Sequence, residues 1–304
     1  MMEFMKGMRK DRAGISTILV IAAVVIVVIA AAVAYIVLSA DNEKEEVAPG
    51  TTMKYEVSMG GETLGMFEIH FIGQNADEYL IMEKEVEDAS TTTAYRMSPK
   101  GGTPVKVTGT EELDTIDGKK TLQIQEFTQQ VSGMTAQVKA YVDPSNGLPY
   151  KEEISLLGMS MTQILVGYEL KWQTSYKESK SVGMTYDYVC KVEGLTLDAK
   201  IVCVADCVDD QYGVMYDFTA YGGGTTYFIS DFPQGLPVDA EHKGGTTAIT
   251  TIDGDISVEL WEYVDPIDGT KLYFYIESDT HIIYRFVVDF SVAELVFDLT
   301  KKSA

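Results

Sequence analysis

Hydrophobic and polar positions along this chain follow two different rhythms. From Ile15 to Leu38 the sequence ISTILVIAAVVIVVIAAAVAYIVL carries no charge, no proline and no glycine over 24 residues. At ~1.5 Å per residue such a helix covers ~36 Å, which spans the hydrocarbon of a bilayer with some tilt. From Thr52 the period drops to two. Met53, Tyr55, Val57 and Met59 alternate with Thr52, Lys54, Glu56 and Ser58, as in a strand with one buried face. Gly60-Gly61 turns this strand into a partner over Leu64–Ile72. The same alternation predicts strands near 78–86, 92–97, 105–113, 120–127, 134–142, 150–156 and 161–170. Turn chemistry separates them, at Asp117-Gly118 and at Asp143-Pro144-Ser145-Asn146-Gly147. No amphipathic helix follows the apolar run, so the expected class is all-β: one transmembrane helix, then antiparallel β domains built as sandwiches or half-barrels.

The second half repeats the first. Met53–Met59 has a counterpart in Met184–Cys190, and Thr115-Ile116-Asp117-Gly118 in Thr251-Ile252-Asp253-Gly254. Tyr141–Tyr150 aligns without a gap on Tyr275–Tyr284, and Ser160–Val166 on Ser291–Phe297. Ordered matches at offsets of 131 to 136 residues indicate a tandem duplication. The expected organisation is a cytoplasmic basic segment (1–14), a transmembrane helix (15–38), a charged linker (39–50), and two β domains (51–175 and 176–304).

Charge orients the anchor. Lys6, Arg9, Lys10 and Arg12 against Glu3 and Asp11 give the first fourteen residues a net +2; subtracted from the chain's −22, this leaves −24 on the rest. Basic residues stay on the cytoplasmic side, which puts the bulk of the chain outside the cytoplasm in a single-pass cell-membrane topology. The partner implied for residues 15–38 is membrane lipid. An acidic surface repels phosphate backbones, so no nucleic-acid partner is expected; a protein partner or an apolar ligand remains open.

The basic residues followed by Arg12-Ala13-Gly14-Ile15-Ser16-Thr17 and a long aliphatic run resemble the class III signal of archaeal type IV pilins and archaellins. That resemblance implies processing near Gly14 that leaves Ile15 near the new N-terminus, and a helix that packs into a filament. The segment Tyr141–Ile154, with its Asp-Pro-x-x-Gly-Leu-Pro hairpin, resembles LolA/LppX-type lipoprotein carriers. The family's curved antiparallel sheet implies an apolar or acyl ligand. The second repeat departs from this motif at Glu277-Ser278-Asp279-Thr280-His281. Ten methionines beyond the anchor, eight of them in the first repeat, suit either core packing or an adaptable binding surface.

Candidate chemistry is sparse. His70, His242 and His281 stand apart from any metal-ligand or Gly-x-Ser-x-Gly pattern. Asp206, Asp209 and Asp210, Asp253 and Asp255, and Asp265 with Asp268 lack the steps of a calcium loop and read as turns. A hairpin turning near Thr196–Leu197 would bring Cys190 opposite Cys203 for a disulfide in an oxidising exterior, with Cys190–Cys207 as the other pairing; the alternative is three free buried thiols. No catalytic, metal-binding or cofactor-binding residue emerges, and no cofactor is implied. The expected function is a non-enzymatic, membrane-anchored extracytoplasmic binding or cell-envelope module. A pilin-like filament subunit and a tethered carrier of apolar ligands are the alternatives.

Overall fold

The computed structural model describes residues 46–303 apart from 88–89, 101–104, 132–133, 193, 222–223, 266–268 and 291–293. The apolar run Ile15–Leu38 and the Gly14–Ile15 junction lie outside the described residues. Among the described residues no helix is long and apolar enough to cross a membrane. They are strands joined by turns, with two short 3-10 turns at Val208–Asp210 and Thr219–Tyr221. The all-β class holds, and every described pairing between strands is antiparallel.

The strands, in chain order, are β1 (Glu46–Val47), β2 (Thr52–Met59), β3 (Glu62–Gln74), β4 (Glu78–Glu87), β5 (Ser90–Pro99), β6 (Lys106–Thr115), β7 (Gly118–Val131), β8 (Met134–Val142), β9 (Pro149–Leu156), β10 (Met159–Glu169) and β11 (Trp172–Gln173). They continue as β12 (Thr185–Val192), β13 (Leu195–Cys207), β14 (Tyr212–Asp217), β15 (Thr225–Ser230), β16 (Glu241–Thr251), β17 (Gly254–Val264), β18 (Lys271–Ile276), β19 (Ile283–Asp289) and β20 (Glu294–Ser303). The chain divides into two compact units after Ser175, except that Phe71–Met82 and Thr92–Met97 belong to the second.

In the first unit the pairings run β6-β7-β8-β9-β10-β2-β3. In the second they run β16-β17-β18-β19-β20-β12-β13 and continue through β14 to β15. Each unit is thus organised on one continuous sheet, not on two facing sheets of a sandwich. Strand for strand, the order is the same.

Alternation sets which face is buried. Met53, Tyr55 and Val57 on β2 turn inward together with Phe67 and Ile69 on β3, Ile154 on β9 and Met161 and Leu165 on β10. The second unit buries Tyr186, Tyr188 and Cys190 on β12 with Phe274, Phe286, Phe297 and Leu299. One side-chain lock recurs. The Tyr55 hydroxyl donates to the carbonyl of Pro149 at 3.3 Å, and the Tyr188 hydroxyl to that of Ile283 at 2.7 Å. Tyr55 faces Leu165 and Tyr188 faces Leu299. The registers therefore equate Tyr55 with Tyr188, two residues beyond the match at Tyr186 that the sequence alignment suggests. A slip of two keeps the same face inward, so periodicity alone does not distinguish the two registers.

A second lock shows that each sheet is strongly curled. At the β6–β7 tip Asp117 accepts hydrogen bonds from Tyr150 on β9 and, at 2.7 Å, from Tyr168 on β10. At the β16–β17 tip Asp253 accepts from Tyr284 on β19 at 2.5 Å and from Lys302 on β20. These partners lie two and three strands away along the sheet, a reach that a flat sheet does not give.

The charged linker is shorter than its composition suggests. Glu46 and Val47 pair with Gln173 and Trp172, and the amide of Ala48 donates to the Lys171 carbonyl at 2.9 Å. Val47 is buried, so residues 46–50 belong to the first unit. Replacing Tyr188 by Phe removes the buried hydrogen bond to Ile283 with little change of shape. We expect a loss of about 1–2 kcal/mol of stability, read as a lower urea midpoint at unchanged slope.

Candidate functional site

The two units differ in chemistry along one cross-strand row of their inward faces. In the second unit the row reads Trp261, Phe274, Phe286, Phe297, each paired with the next across β17-β18-β19-β20. Phe286 and Phe297 stack at 4.7 Å with their planes 8° apart, and Tyr188 and Tyr216 meet Phe286 edge-on at 5.0 and 5.9 Å. This is an aromatic core of ordinary chemistry.

At the matching registers of the first unit the row reads Gln125, Ala140, Glu152, Gln163 across β7-β8-β9-β10. It ends at Val57 and Gly65, where the second unit has Cys190 and Leu197. Four large apolar positions have become three polar side chains and a methyl. All four are buried: Glu152, Gln163 and Ala140 are fully shielded and Gln125 is 5% exposed. On one side the neighbouring row is apolar at Val138, Ile154 and Met161; on the other Val142, Leu165 and Tyr55 are buried, and Gln123 stands half-buried opposite Val142.

A polar row inside an apolar face is costly unless its groups are bonded. The Gln163 amide donates to Glu152 Oε2, and Gln125 Nε2 donates to Gln123 Oε1 at 3.4 Å. Glu152 Oε1 and Gln125 Oε1 are shielded and accept no hydrogen bond from the described residues. Burial dominates Glu152. Desolvation raises its pKa from 4.5 to about 8, opposed by the Gln163 hydrogen bond. At neutral pH the acid is mainly protonated. The site is a set of buried acceptors and one neutral acid, not a catalytic pair.

The row also leaves a signal in the sequence. Glu152 shares its parity with Tyr150, Ile154 and Leu156, Gln163 with Met161 and Leu165, and Gln125 with Phe127. A polar residue on the inward parity of a strand is the informative anomaly.

The residues singled out from the sequence lie elsewhere. Cys190 stands opposite Leu197, because the β12–β13 hairpin turns between Val192 and Leu195 and not near Thr196–Leu197. Cys203 instead exchanges backbone hydrogen bonds with Gly183 and Met184 at 2.8 and 3.0 Å. The register thus does not bring Cys190 and Cys203 together, and all three thiols are free. Burial pushes Cys203 and Cys207 up to about 12, so both stay protonated and unreactive at neutral pH.

His70 lies 3.3 Å from Glu68 on β3. His242 packs on Trp261 at 5.0 Å. His281 occupies a left-handed turn position (φ 58°) and stacks on Phe232 at 3.7 Å; Gly147 (φ 73°) holds the corresponding place in the first unit. Asp206 accepts from the Tyr176 hydroxyl at 2.6 Å and the Ser179 amide at 2.9 Å, and Asp255 from Thr250 at 2.7 Å. Asp209 and Asp210 sit in a turn with positive φ, and the Asp265 carbonyl accepts from the Gly269 amide at 2.9 Å. Asp268 lies outside the described residues. Among the described residues no group of three or more His, Cys, Asp or Glu side chains is placed to hold a metal ion.

Fold and site together define the class: an antiparallel all-β protein of two like-ordered units, one with an aromatic interior row and one with a polar row. No family model matches the chain, and no curated protein matches it. Among solved structures, the crystal structure of MucB in complex with MucA(peri) is 10% identical, with 89% of this chain and 93% of that chain covered and a TM-score of 0.27. The crystal structure of MucB is also 10% identical, with 74% and 88% covered and a TM-score of 0.26. Superpositions at this level carry nothing over to this chain.

Glu152 gives the site a pH signature. It binds its proton more tightly in the folded chain than in the unfolded one, so stability falls as pH rises between the two values, from 4.5 to about 8. The expected slope is up to about 1.4 kcal/mol per pH unit, levelling off above the folded value. Glu152→Gln is expected to flatten that part of the profile, measured as urea midpoints from pH 5 to pH 9.

Proposed function

We propose that this chain is a membrane-anchored, extracytoplasmic binding module without catalytic activity, and that the first unit carries its binding site. The single observation that carries the reading is the polar row Gln125–Glu152–Gln163, buried in register with the aromatic row of its sister unit. A second copy of the same sheet shows what an ordinary core at these positions looks like. The first unit has buried polar side chains in place of that packing, a difference that costs stability and is accounted for by recognition.

The anchor and its polarity come from the apolar run Ile15–Leu38 and the basic residues before it. The first unit is held close to that anchor. Since β1 is paired into the unit, only residues 39–45 separate them, a span of at most ~25 Å for seven extended residues. The net charge of −22 on the chain favours cationic or basic partners. A binding role also fits the thiols, which burial keeps protonated, and the scattered histidines.

Mass spectrometry of the chain extracted from membranes, combined with protease treatment of intact cells, tests this reading. We expect residues 1–14 to be retained and protected, and the segment beyond the anchor to be digested from outside. A mature chain beginning at Ile15 would instead support pilin-type processing and a packed-helix assembly. Digestion only after lysis would overturn the extracytoplasmic placement.

A further inference from the structure

The polar row has a specific geometry at its centre. Ala140 stands between Gln125 and Glu152, paired with each across its own strand edge. Neighbouring strands are ~4.8 Å apart, so the two flanking side chains leave the sheet ~10 Å from each other over a floor of one methyl group. In the second unit the same floor is Phe274, between Trp261 and Phe286. Both side chains flanking Ala140 carry a shielded oxygen, Gln125 Oε1 and Glu152 Oε1, that accepts no hydrogen bond from the described residues. Each such buried acceptor costs about 1–3 kcal/mol, a cost that a donor placed between them removes.

A guest that carries positive charge draws the proton off Glu152, and two acceptors then face it over one small floor residue. An anion keeps Glu152 protonated and gains no ion pair. An alcohol is uncharged, leaves Glu152 protonated and gains none either. An ammonium group has three donors and no acceptor, and it pairs with Glu152 as the carboxylate. The acidic chain also concentrates cations around itself.

We propose that the niche over Ala140 binds the ammonium group of a small organic amine, held between Gln125 Oε1 and Glu152 Oε1. This names the ligand class for the site on which the proposed binding function rests. Val57, Val138 and Tyr55, all buried around the row, provide apolar surface for the carbon part of the ligand.

The test uses the full chain in detergent, with n-butylammonium as probe and n-butanol and tetramethylammonium as controls, each equilibrated to a constant signal because the niche is shielded. Tm and calorimetric titration are the readouts. We expect n-butylammonium to raise Tm saturably and the two controls, which lack either charge or donors, to leave it unchanged. Glu152→Gln is expected to weaken the apparent affinity by about tenfold or more, since it removes the charged partner. Ala140→Phe, which restores the floor of the second unit, is expected to abolish binding. Should that variant misfold, Glu152→Gln alone decides. Glu111→Gln, an exposed carboxylate on β6, is expected to leave binding intact and controls for the general field.

An equal response to n-butanol, a response unchanged in Glu152→Gln, or no response at all overturns the proposal and leaves water as what satisfies the two acceptors. Such a failure removes the ligand class only; topology is decided by the protease and mass measurements, whose failure in turn leaves the niche intact.

Discussion

Everything in each unit depends on cross-strand register. A strand has only two faces, so one residue of slip would expose every inward side chain and bury every outward one. Here register is held by more than alternation. The Tyr55 and Tyr188 hydroxyls each tie one strand to a carbonyl on another element, and the Asp117 and Asp253 carboxylates tie a hairpin tip to strands two and three places away. The first kind of tie fixes register and the second fixes curl. Because both recur at matching places in the two units, they belong to the framework. What differs on that framework is what needs a functional explanation.

The electrostatics of the Asp117 tie support that division. Hydrogen bonds from Tyr150 and then Tyr168 hold its carboxyl below the usual range, against a small opposing effect of burial. Tyr150 moves up, first through burial and then through its bond to Asp117. In the second unit Lys302 takes the place of Tyr168, and Asp253 is lowered first by Lys302 and then by Tyr284. A tyrosine hydroxyl and an ammonium exchange there without changing the geometry, since the position asks only for a donor to a carboxylate. Glu152 behaves differently: burial dominates it, and it moves up.

Much of the fold was legible from residues alone. The alternation of Met53 to Met59, the Asp-Gly tips and the offsets between the two halves are local or pairwise patterns, and they lead directly to antiparallel strands in a repeated order. Three things were not legible. The exact equivalence of Tyr55 with Tyr188 needed pairing partners, because a slip of two residues leaves the pattern unchanged. The β12–β13 turn was expected two or three residues too late, where Thr196-Leu197 carries no stronger turn signal than Gly194 before it; Gly194 takes the positive φ (84°) that the real turn requires. That small displacement moves Cys203 away from Cys190. The paired state of Glu46 and Val47 was also hidden, since DNEKEEVAPG has the composition of a solvated segment and only Val47 hints at a buried contact.

The site was hidden for another reason. Searches for chemistry look for histidine, cysteine and clustered carboxylates, and here those residues lie in turns, stacks and sealed core positions. The informative residues were a glutamate and two glutamines whose only peculiarity is parity. Each looks like an exposed polar residue until its neighbours two positions away are seen to be buried. Even then, one inward glutamate is an isolated oddity. The glutamate and the two glutamines become a site only when pairing lines up β7, β8, β9 and β10, and only the second unit shows that aromatic side chains can fill the corresponding row of its own sheet. The shared strand order therefore acts as an internal control: it separates what the sheet requires, which both units have, from what is particular to the first.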